Sequence, residues 1–393
     1  MRKLSLYTFA SLAFLLMFSF QACNNDAAGT KDPKEGTDTT KKDTVAQNTP
    51  PEEKPVEIDK KYNDVARILA GMPIESSSEY YEVTQTTYWQ SYAKAADAGW
   101  ASADKKRFNS MREWSQKELA DLNQMEGDIF YPFSGPDIYY GYQFFPTAKN
   151  YHLFALEPAG NLSFFKSDDV KWENYCIHVQ QTIDDFILGG FFHTKHMRVD
   201  MKDAGVLPTL LVFLVRSGNT IAKVEPIEIK EDGTVGISEK ADFSSVRVDF
   251  LDAKTNKLKS LYYHSCDISN EGFVARPALK KHIEQVAVNR TFTKSASYLM
   301  HRPTFTEVKD IIIAKAAAVF QDDTAIPYQF YKDATWDIRL YGKYSGPIKL
   351  FAVRYQNELR DAYQKKEVGA LPFSLGYHSS HDHDNMMVAI RKK

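Results

Sequence analysis

Apolar residues recur at three- and four-residue steps through Ile58, Tyr62, Val65, Ala66 and Leu69, which predicts a helix ending near Gly71. A second helical region spans residues 78–123, with Tyr92, Trp100, Phe108, Met111, Trp114, Leu119 and Leu122 as its apolar positions and a break near Gly99. Strands follow at Asp128–Phe133, ending in a Pro-Phe-Ser-Gly-Pro-Asp turn, and at Tyr151–Leu156. Helix returns over Asp168–Leu188, with Val170, Trp172, Ile177, Ile183 and Phe186 as the buried stripe. The apolar run Val206–Val215 reads as a buried helix, although periodicity alone leaves a buried strand open.

Hairpin signals are sharper. Ile227–Lys230 and Thr234–Ser238 flank Asp232-Gly233, a favoured tight-turn dipeptide. Val246, Val248 and Phe250 alternate with polar residues, and the chain turns over Asp252–Lys257 into a strand at Leu258–His264. Helices are expected over Pro277–Val288, Thr304–Phe320 and Gln356–Lys366, and strands near Trp336–Tyr341, Ile348–Tyr355 and Met386–Ile390. Helices gather first, strands come as hairpins, and no regular strand–helix–strand alternation is visible. The pattern predicts an α+β fold: a helical N-terminal part packed on antiparallel sheet with hairpins.

Residues 1–55 do not fit that body. Met1-Arg2-Lys3 is followed by an uncharged stretch from Leu4 to Phe20, the build of a secretory signal peptide. The stretch sits at the lower limit for spanning a bilayer, which leaves an uncleaved anchor as the alternative. Residues 24–55 are rich in Thr, Lys, Asp, Glu, Pro and Gly and lack aromatic residues, Leu and Met. Such a segment buries too little apolar surface to offset its ordering entropy. As a flexible tether it spans roughly 30 Å. The expected organisation is a signal peptide over 1–22, a tether over 23–55 and a globular body over 56–393, with two subdomains left open.

With 49 basic and 51 acidic residues the formal net charge is −2, which lacks the basic footprint of nucleic-acid binding. The 13% aromatic content suits sheet and core first. It also suits stacking on sugar rings or docking a partner.

Candidate chemistry is sparse. His378, His381, His383 and Asp384 form the densest group of metal-ligating residues, and on a strand His381 and His383 would share a face. The group falls short of a His-x-His-x-Asp-His motif, because Asp384 stands one place early and no His follows. A solvated polar loop is the competing reading. His193 and His196 make a second pair, though Gly189-Gly190 before them suggests a loop. Glu157, Asp137, Asp168, Asp169, Asp184 and Asp185 are carboxylates available for acid–base work, and Asp168 and Asp169 with Ser167 also suit a helix cap. Ser-x-x-Lys occurs at Ser91, Ser102 and Ser163 with no Lys-Thr-Gly to accompany it, as chance would give. There is no nucleophile elbow, HExxH, P-loop or dinucleotide fingerprint. Cys176 and Cys266 could form a disulfide in an oxidising compartment or remain buried free thiols.

The segment ending Gln21-Ala22-Cys23 resembles bacterial lipoprotein precursors. That resemblance implies cleavage before Cys23 and a diacylglycerol on its thiol. Ala22 fits the small residue required there, while Phe20 and Gln21 depart from the usual pattern. Asn24 rather than Asp after the cysteine favours the outer membrane. Tyr131–Asp137, Phe145-Pro146, Leu156–Gly160, Lys294–His301 and Gln321–Asp323 resemble blocks of an uncharacterised family of bacterial envelope proteins, which carries no activity to transfer. The expectation is a lipid-anchored envelope protein that binds a glycan or protein partner or assists assembly, without catalysis. The alternative is an envelope hydrolase holding a divalent metal through His378, His381, His383 and Asp384.

Overall fold

The computed structural model describes residues 56–160, 171–189, 205–240, 243–377 and 384–393. The chain divides into two units, Met1–Lys54 and Pro55–Lys393, and every described residue belongs to the second. The helical beginning comprises α1 (Lys60–Leu69), α2 (Tyr81–Gln85), α3 (Thr87–Ala103), α4 (Asn109–Glu118) and α5 (Ala120–Gln124). Asp59 caps α1 by accepting from the Tyr62 amide, and the Thr86 hydroxyl caps α3 by accepting from Trp89. Gly99 lies inside α3, so the expected break is misplaced. The chain departs from α geometry at a π-helical turn, Asp104–Phe108, which ends on the fully buried Phe108 ring.

The strands are β1 (Ile129–Pro132), β2 (Asn150–Ala155), β3 (Thr220–Ile229), β4 (Val235–Ile237), β5 (Val246–Leu251), β6 (Leu258–Ser265), β7 (Arg290–Thr293), β8 (Ala318–Gln321), β9 (Trp336–Gly342), β10 (Val368–Gly369) and β11 (Asn385–Arg391). They form one sheet in the order β10-β9-β11-β8-β7-β1-β2-β6-β5-β3-β4. The α+β class holds, but the sheet is mixed where antiparallel was expected. Strands β8, β7, β1, β2 and β6 run parallel, flanked by antiparallel pairing through β11 and β9 on one side and β5, β3 and β4 on the other. The central strands β1, β7 and β8 are only four residues each and buried on both faces, so they carry no alternation to mark them.

Seven helices complete the first face or cover the second. On the first are α6 (Ile138–Phe144), α7 (Trp172–Gly189) and α8 (Leu207–Arg216), whose buried residues join those of α1, α3 and α4. The Val206–Val215 run is thus a helix, with Pro208 in its first turn where a missing N–H does no harm. Ile183 and Phe186 of α7 are buried as expected, whereas Ile177 is exposed. The second face is packed by α9 (Asn270–Ala275), α10 (Pro277–Val286) and α11 (Thr306–Lys315), with α12 (Asn357–Lys365) alongside.

Two further expectations are corrected. The helix anticipated over Thr304–Phe320 stops at Lys315, and Ala318–Gln321 becomes β8. The strand anticipated over Ile348–Tyr355 is a pair of 3₁₀ turns, Lys349–Arg354, with Leu350 79% and Val353 88% exposed and no sheet neighbour to bury them.

Candidate functional site

Two strand–helix–strand units meet at the centre of the sheet. The chain leaves β1 through α6 on the first face and enters β2 on one side, and it leaves β7 through α11 on the second face and enters β8 on the other. The connections diverge between β1 and β7. In parallel sheets the crevice outside the carboxyl ends of the strands at such a switch point is left uncovered, and ligands bind there.

The cleft at this position has a volume of about 210 Å³. Its walls are the segments that follow four parallel strands: Phe133–Gly135 after β1, Leu156-Glu157 after β2, Cys266–Ile268 after β6 and Lys294–Ser297 after β7. Phe305 and Tyr377 complete it. Phe133 stands edge-on to Phe305, 5.4 Å between ring centres.

The floor is a buried polar network. Lys294 Nζ lies 2.8 Å from Asp137 Oδ2 and 4.4 Å from the centre of the Tyr140 ring. Tyr131 donates to the same carboxylate oxygen at 2.9 Å, and the other oxygen accepts from the Tyr140 amide, capping α6. Burial pushes the Asp137 carboxyl up, against the opposing pull of Lys294. Removing one member would strand the other without a counter-charge.

Backbone strain concentrates here. Among the described residues, five non-glycine positions have positive φ, and four belong to this site: Phe133 at 57°, Ser295 and Ser297 at 51°, and Tyr298 at 53°. Such conformations persist only where surrounding contacts over-determine them, and they cluster at ligand sites. The contacts are visible. Asp322 Oδ2 accepts from the Ser295 amide at 2.7 Å, and Thr324 Oγ1 accepts from the Ala296 amide at 2.7 Å. Tyr298 donates to Asp323 Oδ2 at 2.5 Å, while Asp323 Oδ1 accepts from Asn385 Nδ2 on β11 at 3.0 Å. Tyr377 donates to the Ser295 carbonyl at 2.6 Å, so Ser297 Oγ donates to the Tyr377 hydroxyl at 2.7 Å. Gly376 lets the chain pass close by, since a Cβ there would sit 3.2 Å from both Asp322 Oδ2 and Ser295 Oγ. Burial and the adjacent Asp323 push the Asp322 carboxyl well above the ordinary carboxylate range. Ser295 Oγ is buried and makes no hydrogen bond among the described residues.

The residues singled out in the sequence fare unevenly. Asp137 is the N-cap and ion-pair partner just described, and Glu157 lines the cleft. Asp184 lies on α7 and accepts from Gln180. Asp168, Asp169, His193, His196, His378, His381 and His383 lie outside the described residues, as does the Asp185 side chain. Asp384 is buried beside Ser374 and the Leu375 backbone, and burial pushes its carboxyl up to about 8. Cys176 and Cys266 are both buried free thiols, so the disulfide is not formed: Cys176 packs into the core of the first face and Cys266 into that of the second, with the sheet between them. Burial raises both thiols to about 12, which keeps them protonated and unreactive.

Ser134, Lys294, Ser295, Ser297 and Tyr377 are site residues that composition and motif did not single out as chemistry. Parts of the sequence blocks Tyr131–Asp137, Leu156–Gly160 and Lys294–His301 meet around the one cleft. No protein-family model, no curated protein and no solved structure matches this chain.

Proposed function

We propose that this is a lipid-anchored envelope protein that binds a small hydroxylated ligand, of the size of a single sugar ring, in the cleft at the switch point. The observation that carries the reading is the convergence of four post-strand segments, three non-glycine left-handed residues among them, on one cleft. Phe133, Phe305 and Tyr377 offer flat faces for stacking on a sugar ring. Ser295 Oγ, Ser297 Oγ and the Glu157 carboxylate offer the hydrogen-bonding groups that fix its orientation.

Binding is favoured over covalent catalysis by the state of the hydroxyls. A serine nucleophile needs a base within hydrogen-bond reach. Ser295 Oγ has no such partner among the described residues, and Ser297 Oγ is engaged by Tyr377. The anchor through Cys23 and the outer-membrane location rest on the sequence pattern of residues 1–24 and belong to the same proposal.

The test is calorimetric titration of the full-length protein in detergent with neutral and N-acetylated hexoses and their disaccharides. Saturable binding is expected, lost in Leu156→Trp, which places a bulky ring at the cleft mouth where Leu156 is 63% exposed. Absence of binding across the panel, or turnover of any glycoside, would overturn the reading.

A further inference from the structure

Three histidines remote in sequence converge on the second face of the sheet. His152 on β2, His264 on β6 and His282 on α10 are all buried, and one ring nitrogen from each lies within 4.8 Å of the other two. The β2–β6 register aligns His152 with Tyr262 and Phe154 with His264, so the two strand histidines project to the same face, where α10 packs.

Two of the three rings are oriented by what their other nitrogen does. His282 Nδ1 lies 2.9 Å from the Gly233 carbonyl, which can only accept, so Nδ1 carries the proton and Nε2 presents a lone pair. Gly233 sits at 87° in the β3–β4 turn, and a Cβ there would approach Lys281 Cβ to 2.9 Å; the turn is thus free to close on α10. His152 Nε2 lies 3.3 Å from Asp128 Oδ2, so Nε2 donates and Nδ1 presents its lone pair. Neither nitrogen of His264 has a hydrogen-bond partner among the described residues, nor do His152 Nδ1 and His282 Nε2. Aromatic packing accounts for the rings, with His152 stacked on Tyr262 at 4.7 Å and His264 on Phe154 at 4.8 Å. It does not account for buried lone pairs facing one another, each of which carries a desolvation cost when unmet.

A carbonyl or carboxylate holding the far nitrogen while the near one faces its fellows is the outer-shell arrangement of histidine metal ligands. We infer that His152 Nδ1, His282 Nε2 and a ring nitrogen of His264 form a binding site for a divalent metal of the zinc class. Uncharged imidazoles with no carboxylate in the first shell suit zinc rather than calcium or magnesium. With zinc–nitrogen bonds of about 2.0–2.1 Å a tetrahedral centre sets its nitrogens roughly 3.3 Å apart, so metal binding draws the three rings closer together. His264 also lines a separate cavity of about 280 Å³ with Cys266 and Arg276.

The test uses full-length protein in detergent, stripped with EDTA and reloaded with zinc or cobalt. Expected are about one zinc per chain by elemental analysis, visible absorption of four-coordinate cobalt, and a zinc-dependent rise in melting temperature of several degrees. His264→Asn and His282→Gln should each lose all three while melting like the parent in EDTA. His381→Ala/His383→Ala should keep them. Failure of the parent to retain zinc, or zinc that persists in His264→Asn but disappears in His381→Ala/His383→Ala, would overturn the assignment. A variant that does not fold is replaced by His152→Gln, whose ring lies over Tyr262 at the cluster's edge.

Discussion

Lys294 and Asp137 form an ion pair 2.8 Å long, both side chains at most 3% exposed, which ties the segment after β7 to the start of α6 after β1. The pair spans the seam at which the two halves of the parallel sheet diverge. Its position explains why the cleft above it keeps its shape: the loops on both sides are fastened to one carboxylate, which Tyr131 and the Tyr140 amide also engage.

Lys294→Met should therefore destabilise the protein by about 3–5 kcal/mol, because Asp137 is left buried without a counter-charge. Adding Asp137→Asn to that variant should recover part of the loss. Urea denaturation of the parent, the single and the double variant checks this, and a single-variant loss below about 1 kcal/mol would show that the pair contributes little.

Ser295→Gly should raise stability by about 1 kcal/mol. Ser295 holds φ at 51°, where a Cβ is disfavoured and glycine is not, and its hydroxyl has no partner to lose. A thermal melt reads the change. In the same variant ligand affinity should fall, since the hydroxyl is assigned to the ligand; a rise in both would contradict that assignment.

Much of the periphery was legible in the sequence, and the centre only in part: β1, β2 and β6 were anticipated, whereas β7 and β8 were not. Asp232-Gly233 announced the β3–β4 hairpin, and the alternation of Val246, Val248 and Phe250 announced β5, because turn chemistry and half-burial leave local marks. The strands RTFT and AVFQ are buried on both faces, and the second continues an apolar run from Ile311, so nothing local separates it from the helix before it. Leu350 and Val353 misled in the opposite sense, being apolar yet exposed. The blocks that line the cleft stood out in the sequence, but their meeting depends on strand order. The histidine cluster likewise depends on the β2–β6 register and on the packing of α10, which no local pattern encodes.

Asp384 gives the stability a pH dependence of defined sign. Its folded-state value of about 8 lies above the ordinary carboxylate value near 3.9, with Arg107 pulling it down and Asp322 and burial pushing it up. Between those two values the native state binds more protons than the unfolded chain, so stability falls as pH rises from about 4 to about 8. Asp384→Asn removes this contribution. The variant should show a flatter profile and, at pH 8, a stability higher by a few kcal/mol as an order of magnitude. Denaturation midpoints at pH 5 and pH 8 decide it, and an unchanged slope would contradict the assignment.

The anchor is tested separately. Cys23→Ser should abolish labelling by radioactive palmitate and release the protein from the membrane fraction. Retention of the unlabelled protein on membranes would favour an uncleaved apolar segment at residues 4–20.

The most direct measurement is a crystal structure of the protein with the tightest-binding sugar from the titration panel. The account predicts a sugar ring in the switch-point cleft, stacked on Phe133, Phe305 or Tyr377 and within hydrogen-bond distance of Ser295 Oγ or Ser297 Oγ. A sugar bound elsewhere while the cleft holds only water would contradict it.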